Sequence, residues 1–415
     1  MMKTDRLSLR ILTFLLSLCL LLPLVSCGET PADTAQTTVA ATVAATTAEP
    51  AKYTVRLNAP ASTAIHTDLQ ASYLADKDPL TIKSYMRSAY SAQSVNFDDS
   101  PGTIELSRPA AIKLTWEVET DQPESDIVGY TLSLWHEAAP DAALTATFSK
   151  LIKEYGLINA LIGETYCWTI TVIDKDGKNY TSQVGRFTTE DQAPRNIYVD
   201  GVTNVRDLGG WKTEDGGRIR QGLLYRGGRI VENSNALKVL ITGKGIKTLR
   251  DDLGVKSEID LRLTEKLGGL SASALGSTVA FYSCPMYDDW SKMFSDENNL
   301  KQIRKIFSLM ADENNYPFYF HCSIGTDRTG LIAWLVNGLC GVSEEDLWRD
   351  YLFSNFGKIK NSRSTGVRDV YVDKLKTGGG KTYAEQIYNY LKNTIRVPAA
   401  DLDAVIRIMK EPAPN

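Results

Sequence analysis

Three stretches in the first half of the chain alternate apolar and polar residues: Ile112 to Val118, Tyr130 to Trp135 and Tyr166 to Val172. A period of two puts the apolar side chains on one face of an extended segment, as in a half-buried strand. Turn residues separate the three and Val184 to Thr189 supplies a closing strand, so residues 103–190 are expected to form an all-β sandwich. Trp116, Trp135 and Trp168 lie on these strands and are expected to be core rather than a carbohydrate platform. Asp174-Lys175-Asp176-Gly177-Lys178-Asn179 has acidic spacing suggestive of a calcium loop, but Gly185 stands where such a loop needs its last glutamate. A hairpin turn with Gly177 at positive φ is expected instead. Tyr53 to Leu57 reads as a further strand; the rest of 51–102 is unassigned, with β structure expected. Asp191-Gln192-Ala193-Pro194-Arg195 is polar and marks a boundary. Beyond it short apolar strands (Ser257 to Arg262, Phe318 to Phe320) alternate with helical periods at Glu344 to Phe353, Ala384 to Ile395 and Asp401 to Met409. Residues 195–412 are therefore expected to be an α/β domain, with Ser343 to Asp346 as a helix-capping box.

The first residues follow another logic. Lys3, Arg6 and Arg10 precede an apolar run from Ile11 to Leu24, the arrangement of an export signal. The run is broken by Pro23 and is shorter than the roughly 20 residues a membrane span needs. Leu24-Val25-Ser26-Cys27 resembles the lipobox of bacterial lipoproteins, which implies a signal over 1–27 and a lipid on Cys27. Residues 28–50, mostly Thr, Ala, Glu, Gln and Pro, are expected to be a disordered tether. The resulting expectation is an exported chain, lipid-anchored to a bacterial membrane and facing away from the cytoplasm.

Composition narrows the chemistry. A chain of 415 residues with 43% hydrophobic and 23% charged residues has globular composition and room for two domains. A net charge of −4 gives no support to a nucleic-acid partner. His66, His136 and His321 are the only histidines, and their wide spacing argues against a multi-histidine metal site. Cys167, Cys284, Cys322 and Cys340 are scattered, unlike the framework of a small disulfide-bonded domain.

The decisive segment is His321-Cys322-Ser323-Ile324-Gly325-Thr326-Asp327-Arg328-Thr329-Gly330, between an aromatic strand and an apolar helix. In that setting the backbone N–H groups from Ser323 to Arg328, together with the helix N-terminus, can converge on one anion. The same field lowers the pKa of Cys322, making it a nucleophile toward phosphorus. Arg328 offers a planar fork for two phosphoryl oxygens, fitting the flattened transition state best. Ser323, Ile324, Gly325, Thr326 and Thr329 complete the phosphate cradle, with Thr329 also assisting the sulfur as leaving group. His321 is expected to order the loop.

Taken with neighbouring segments, this loop resembles the bacterial atypical, triple-specificity-type tyrosine phosphatases. Asn204-Val205-Arg206-Asp207-Leu208-Gly209-Gly210, Leu224-Tyr225-Arg226-Gly227-Gly228 and Ile259-Asp260-Leu261-Arg262 with Glu265 are similar to that family's other motifs. The resemblance implies a four- or five-stranded sheet flanked by helices, and a cofactor-free, metal-free phosphomonoesterase working through a phosphocysteine. Thr326 stands where the family usually has lysine, which weakens a phosphoinositide reading, and Gly227 replaces a usual serine. Asp327 matches the family's loop aspartate and is the first choice as general acid. Its rivals are Asp288 and Asp289 in Tyr287-Asp288-Asp289-Trp290, and its alternative role is to pair with Arg206 or Arg226. Asp207 and Arg262 are expected to form a supporting ion pair. Lys374 to Thr382 looks superficially like a nucleotide loop but lacks glycine at Leu375 and a preceding strand. Leu161 to Trp168 resembles the tyrosine-corner strand of fibronectin type III domains. A phosphatase of phosphotyrosine-type monoesters is the leading expectation; a phosphatase of inositol polyphosphates or phosphoinositides and a non-catalytic binder of phosphorylated ligands are the alternatives. The ligand of the β-domain is open, as is a redox role for Cys284.

Overall fold

A computed structural model describes residues 52–364 and 368–413; the expected signal, the expected lipid site at Cys27 and the expected tether lie outside the described residues. Among the described residues no helix is long and apolar enough to cross a membrane.

The alternating stretches become a two-sheet sandwich. Strands β1 (Thr54–Asn58), β2 (Ile112–Glu119) and β5 (Glu154–Leu157) form one antiparallel sheet in the order β1-β2-β5. Strands β3 (Ile127–His136), β4 (Leu144–Ser149), β6 (Thr165–Asp174) and β7 (Asn179–Thr181) form the second, ordered β4-β3-β6-β7, with β8 (Gly185–Thr188) also paired to β6. Period-two burial holds: Ile112, Leu114 and Trp116 of β2 meet Leu132, Trp168 and Ile170 in one core. Trp116 and Trp168 are buried there as expected, whereas Trp135 is only partly covered. The Leu161 N–H donates to the Tyr166 hydroxyl at 2.9 Å, closing the corner ahead of β6. Gly177 has φ +74°, and Asp174 accepts N–H bonds from Asp176 and Lys178 while pairing with Lys52 at 3.0 Å. Those bonds make the segment a turn.

Residues 51–102 need correction, because beyond β1 they are helical. Helices α1 (Asp68–Ala75) and α2 (Ile82–Ser91) form a hairpin, and Thr67 and Gln70 build a reciprocal capping box on α1. Ile82, Met86 and Tyr90 recur every fourth residue and are all buried, so the α2 face was legible as a helical period. The hairpin packs on the α/β layer formed by residues beyond Arg195. Arg349 donates to the Leu74 carbonyl at 3.2 Å, Asn196 to Gln70 at 3.2 Å, and the Leu106 and Lys360 N–H groups bond Phe356 and Gly102 carbonyls. Gly102 has φ +68°, and a Cβ there would stand 2.7 Å from the Lys360 nitrogen, so only glycine fits this close approach. With these contacts, the sandwich, the hairpin and the α/β layer belong to one compact unit.

The α/β layer, which carries the candidate catalytic loop, centres on a six-stranded sheet ordered β14 (Ala280–Ser283), β13 (Ser257–Asp260), β15 (Phe318–His321), β12 (Leu224–Gly227), β10 (Arg206–Asp207), β9 (Arg195–Asn196). The first four are parallel and correspond to the expected sheet; β10 and β9 add two antiparallel dipeptide strands. A small pair, β11 (Arg218–Ile219) with β16 (Lys410–Glu411), lies apart from it. Alternation on β15 sends Phe318 and Phe320 into one core and Tyr319 into another, so both faces of the sheet are covered. One face carries α4 (Glu297–Met310), α5 (Asp327–Leu339), α6 (Glu344–Phe353), α7 (Arg368–Lys376), α8 (Tyr383–Asn389, continued as a wider turn to Ile395) and α9 (Ala399–Met409). The other is closed by α3 (Gly243–Ile246) and its continuation over Lys247–Asp252. Ser343 caps α6 by accepting the Asp346 N–H at 3.2 Å.

Candidate active site

The loop from His321 to Arg328 joins the C-terminal end of β15 to α5, the place where open parallel sheets bind ligands. Gly325 has φ +72°, and a Cβ there would sit 2.4 Å from the Gly227 backbone, so this turn requires glycine. Cys322 is 2% exposed at its base. Burial is the largest single influence on its thiol and opposes ionisation. Arg328, the Thr329 hydroxyl and the Ile324 N–H together outweigh burial and hold the pKa below the usual thiol value. The buried Thr329 hydroxyl has no conventional partner among the described residues, which leaves it for the sulfur.

The Arg328 guanidinium is held by one edge. Its Nη1 donates to the Met286 and Leu261 carbonyls at 3.1 and 3.4 Å. Its Nε is buried without a partner among the described residues, and its Nη2 lies 3.5 Å from Asp288. The Nε–Nη2 edge is thus the one available to two oxygens of a phosphoryl group.

The loop carbonyls are tied back from behind. Arg226 donates to Gly325 O at 2.8 Å, Asn204 to Ile324 O at 3.1 Å, and Arg229 to Ser323 O at 3.0 Å. Drawing carbonyls outward leaves the loop's N–H groups for an anion. Arg206 and Arg226 both bond Asp350, at 2.8 and 2.5 Å, and their charges hold its carboxyl below the usual range despite its burial. Asp350 went unnoticed in the sequence. Two buried arginines demand a buried acid, but their burial is set by tertiary contact and left no local signal in the sequence.

His321 bridges the Cys322 carbonyl (Nδ1, 3.1 Å) and Glu258 (Nε2, 2.9 Å), with Asp260 at 3.9 Å. Burial alone would lower the imidazole pKa, but Asp260 and Glu258 raise it. Glu258, Asp260 and His321 are close enough to suggest a metal site, yet they already serve one another, Ser273 and Arg262.

Two expected pairings are corrected. Arg262 bonds Asp260 at 2.6 Å, and Asp207 bonds Arg195 at 2.9 Å and the Gly209 and Gly222 N–H groups. Two strands separate β10 from β13, about 14 Å at roughly 4.8 Å per strand, so Asp207 and Arg262 cannot meet. Asp327 pairs with Arg363 through two bonds of 2.7 Å and accepts from Tyr351 at 3.2 Å, rather than meeting Arg206 or Arg226. Thr326 is fully buried, contacts Asn204, and adds no charge to the cradle. Asp289 caps its own turn on Ser291, while Asp288, with a side chain 66% exposed, is the carboxylate beside Arg328. Cys284 is a free buried thiol pushed up to about 11 by burial. Strand β13 lies between its strand and β15, so it is too far from Cys322 for a disulfide without movement.

The model of the tyrosine phosphatase family matches residues 197–412. A Cupriavidus necator protein provisionally named a tyrosine-protein phosphatase is 26% identical over 245 residues, covering 51% of this chain and 88% of that one. A tyrosine-protein phosphatase of Nostoc commune is 36% identical over 53 residues, 13% of this chain and 18% of that one. Among solved structures, the core catalytic domain of the PP-IP phosphatase SIW14 from S. cerevisiae matches 37% of this chain and 82% of its own, at 14% identity and a TM-score of 0.26. With its match extending over more than half of the sequence, the chain belongs to the tyrosine phosphatase family and is a phosphoric monoester hydrolase.

Proposed function

We propose that the enzyme hydrolyses phosphotyrosine-type monoesters through a phosphocysteine on Cys322, and that Asp288 rather than Asp327 is the general acid. The observation that carries this reading is the depressed thiol of Cys322 beside the open edge of Arg328. The thiolate attacks phosphorus, the P–O bond to the leaving group breaks, and that oxygen takes the proton of Asp288. Water then attacks the phosphocysteine, gives its proton back to Asp288, and the sulfur leaves as thiolate, assisted by Thr329 and Arg328. A sulfur so deeply buried favours an ester whose phosphate stands off a flat ring. Arg229 and Arg363, the arginines next to the cradle, are spent on Glu232 and Asp327, which favours one phosphate over several.

Asp327 is occupied by Arg363 and Tyr351, whereas Asp288 stands exposed at the phosphate-facing arginine. General acid catalysis contributes about 10²–10⁴-fold. Asp288→Asn is expected to lower kcat for phosphotyrosine peptide by about 10²-fold or more, to spare p-nitrophenyl phosphate, and to flatten the basic limb of the pH profile. Asp327→Asn is expected to lower Tm, with a loss that does not depend on the leaving group. The reverse pattern would return the acid role to Asp327. Inositol hexakisphosphate, run beside the phosphopeptide, tests the polyphosphate alternative.

The reading extends to location. Lipid on Cys27 and the 28–50 tether would hold the catalytic layer outside the cytoplasm, with the sandwich, of fibronectin type III kind, between them. The Leu161–Tyr166 corner and the strand order support that kind for the sandwich. Radiolabelled palmitate incorporated by the whole chain and lost in Cys27→Ser tests the anchor.

A further inference from the structure

One end of the sandwich gathers features that catalysis does not use. The chain enters it there: the Lys52 carbonyl accepts from Thr120, and its ammonium pairs with Asp174 in the β6–β7 turn. Pairing of Gly129 with Ser149 and with Ile173 brings the β4–β5 turn to the same end. That turn reads Lys150-Leu151-Ile152-Lys153, and Leu151 is 82% and Ile152 43% exposed. Val128, 60% exposed, sits beside Gly129 at the β3 bulge. Three large apolar side chains in water at one tip are not explained by folding.

Charge separates the neighbours. Asp126 is matched by Lys175, and Asp174 and Asp176 by Lys52. Lys150 and Lys153, flanking the apolar pair, make no ion pair among the described residues. The catalytic layer joins at the other end of β6, where Ile162 bonds Gln221 and Arg195 bonds the Ala160 carbonyl.

We propose that this tip, Val128 with Leu151 and Ile152, dips into the lipid–water interface of an anionic bilayer, with Lys150 and Lys153 at headgroup depth. The bilayer is the occupant because the chain enters the sandwich at this end. The segment bearing Cys27 enters at this end, so a lipid there would bring the tip and the bilayer together. The inference rests on the proposed anchor for its orientation alone. Asp121 and Glu124 lie on the connection at the same end, so the tip acts alongside an anchor and is a weak binder by itself.

The test uses the full chain with vesicles of phosphatidylglycerol and phosphatidylethanolamine. Leu151→Cys and, as a control, Leu237→Cys, each in a Cys322→Ser background that removes the reactive thiolate, carry an environment-sensitive fluorophore; Leu237 is 95% exposed in the catalytic layer, and the other described cysteines are buried. The expected result is a blue shift and quenching by shallow lipid-borne nitroxide at 151, with neither at 237. In the Cys27→Ser chain, Leu151→Ser with Ile152→Ser should lower vesicle partitioning several-fold and leave aryl-phosphate turnover unchanged. A label at 151 that stays water-exposed while the chain floats with vesicles overturns the tip proposal and leaves the anchor standing. A chain that carries no lipid removes the anchor, and the label at saturating lipid then decides the tip by itself. A shift produced by added cell protein and not by lipid would also overturn it.

Discussion

Cys322→Ser is expected to lower kcat for any phosphate monoester by on the order of 10⁵-fold, the scale seen when a covalent nucleophile is lost. Hydroxyl and thiol differ by a few tenths of an ångström in reach, so the cradle should survive and Tm should change little. What disappears is the ionised form. The depressed thiol of Cys322 supplies a thiolate near neutrality, whereas a serine hydroxyl in the same field stays protonated. The wild-type acid limb should therefore lie below the ordinary thiol pKa of about 8.5, with activity falling as the pH drops through the depressed value. Orthovanadate binding by the serine chain separates lost chemistry from lost folding. Retained binding with residual turnover near that of the wild type would refute the nucleophile assignment.

Arg328→Lys is expected to cost about 10²–10³-fold in kcat, with a smaller change in KM. Lysine keeps the charge but cannot bond the Met286 and Leu261 carbonyls on one edge while offering two parallel donors on the other. The loss belongs to the transition state, where the flattened phosphoryl group meets the fork best. Arg328→Ala should do more and in a specific direction. Among the influences that lower the Cys322 pKa, Arg328 is the largest, so its removal raises that pKa and moves the acid limb to higher pH. Equal losses for lysine and alanine, with no displacement of the limb, would place Arg328 outside the site.

The nucleophile loop was legible because its chemistry is local: strand, cysteine, glycine turn, arginine and helix follow one another within a few residues. The sandwich strands were legible for a similar reason, since Trp116 and Trp168 alternate with polar neighbours whatever they pack against. Partners set by tertiary contact were not. Nothing within the sequence around Asp350 says that Arg206 and Arg226 converge on it, and Arg363 lies 36 positions from the Asp327 it holds. For Arg262 proximity along the chain was the better guide, since its partner is the near neighbour Asp260 rather than the distant motif residue Asp207. The α1–α2 hairpin was missed because a strand at its entry set the expectation for everything after it. Ile82, Met86 and Tyr90 carried the contrary signal. The same hairpin shows what the polar boundary at Asp191 to Arg195 concealed: Gln70, Leu74 and Gly102 contact the catalytic layer directly.

Rapid acid quench of the full chain during turnover of a ³²P-labelled phosphotyrosine peptide, followed by peptide mapping, reads the account most directly. Label is predicted on the peptide containing Cys322, rising in Thr329→Ala, where the sulfur leaves without its hydroxyl partner. Steady turnover with the phosphoryl group on another residue, or on none, would contradict it.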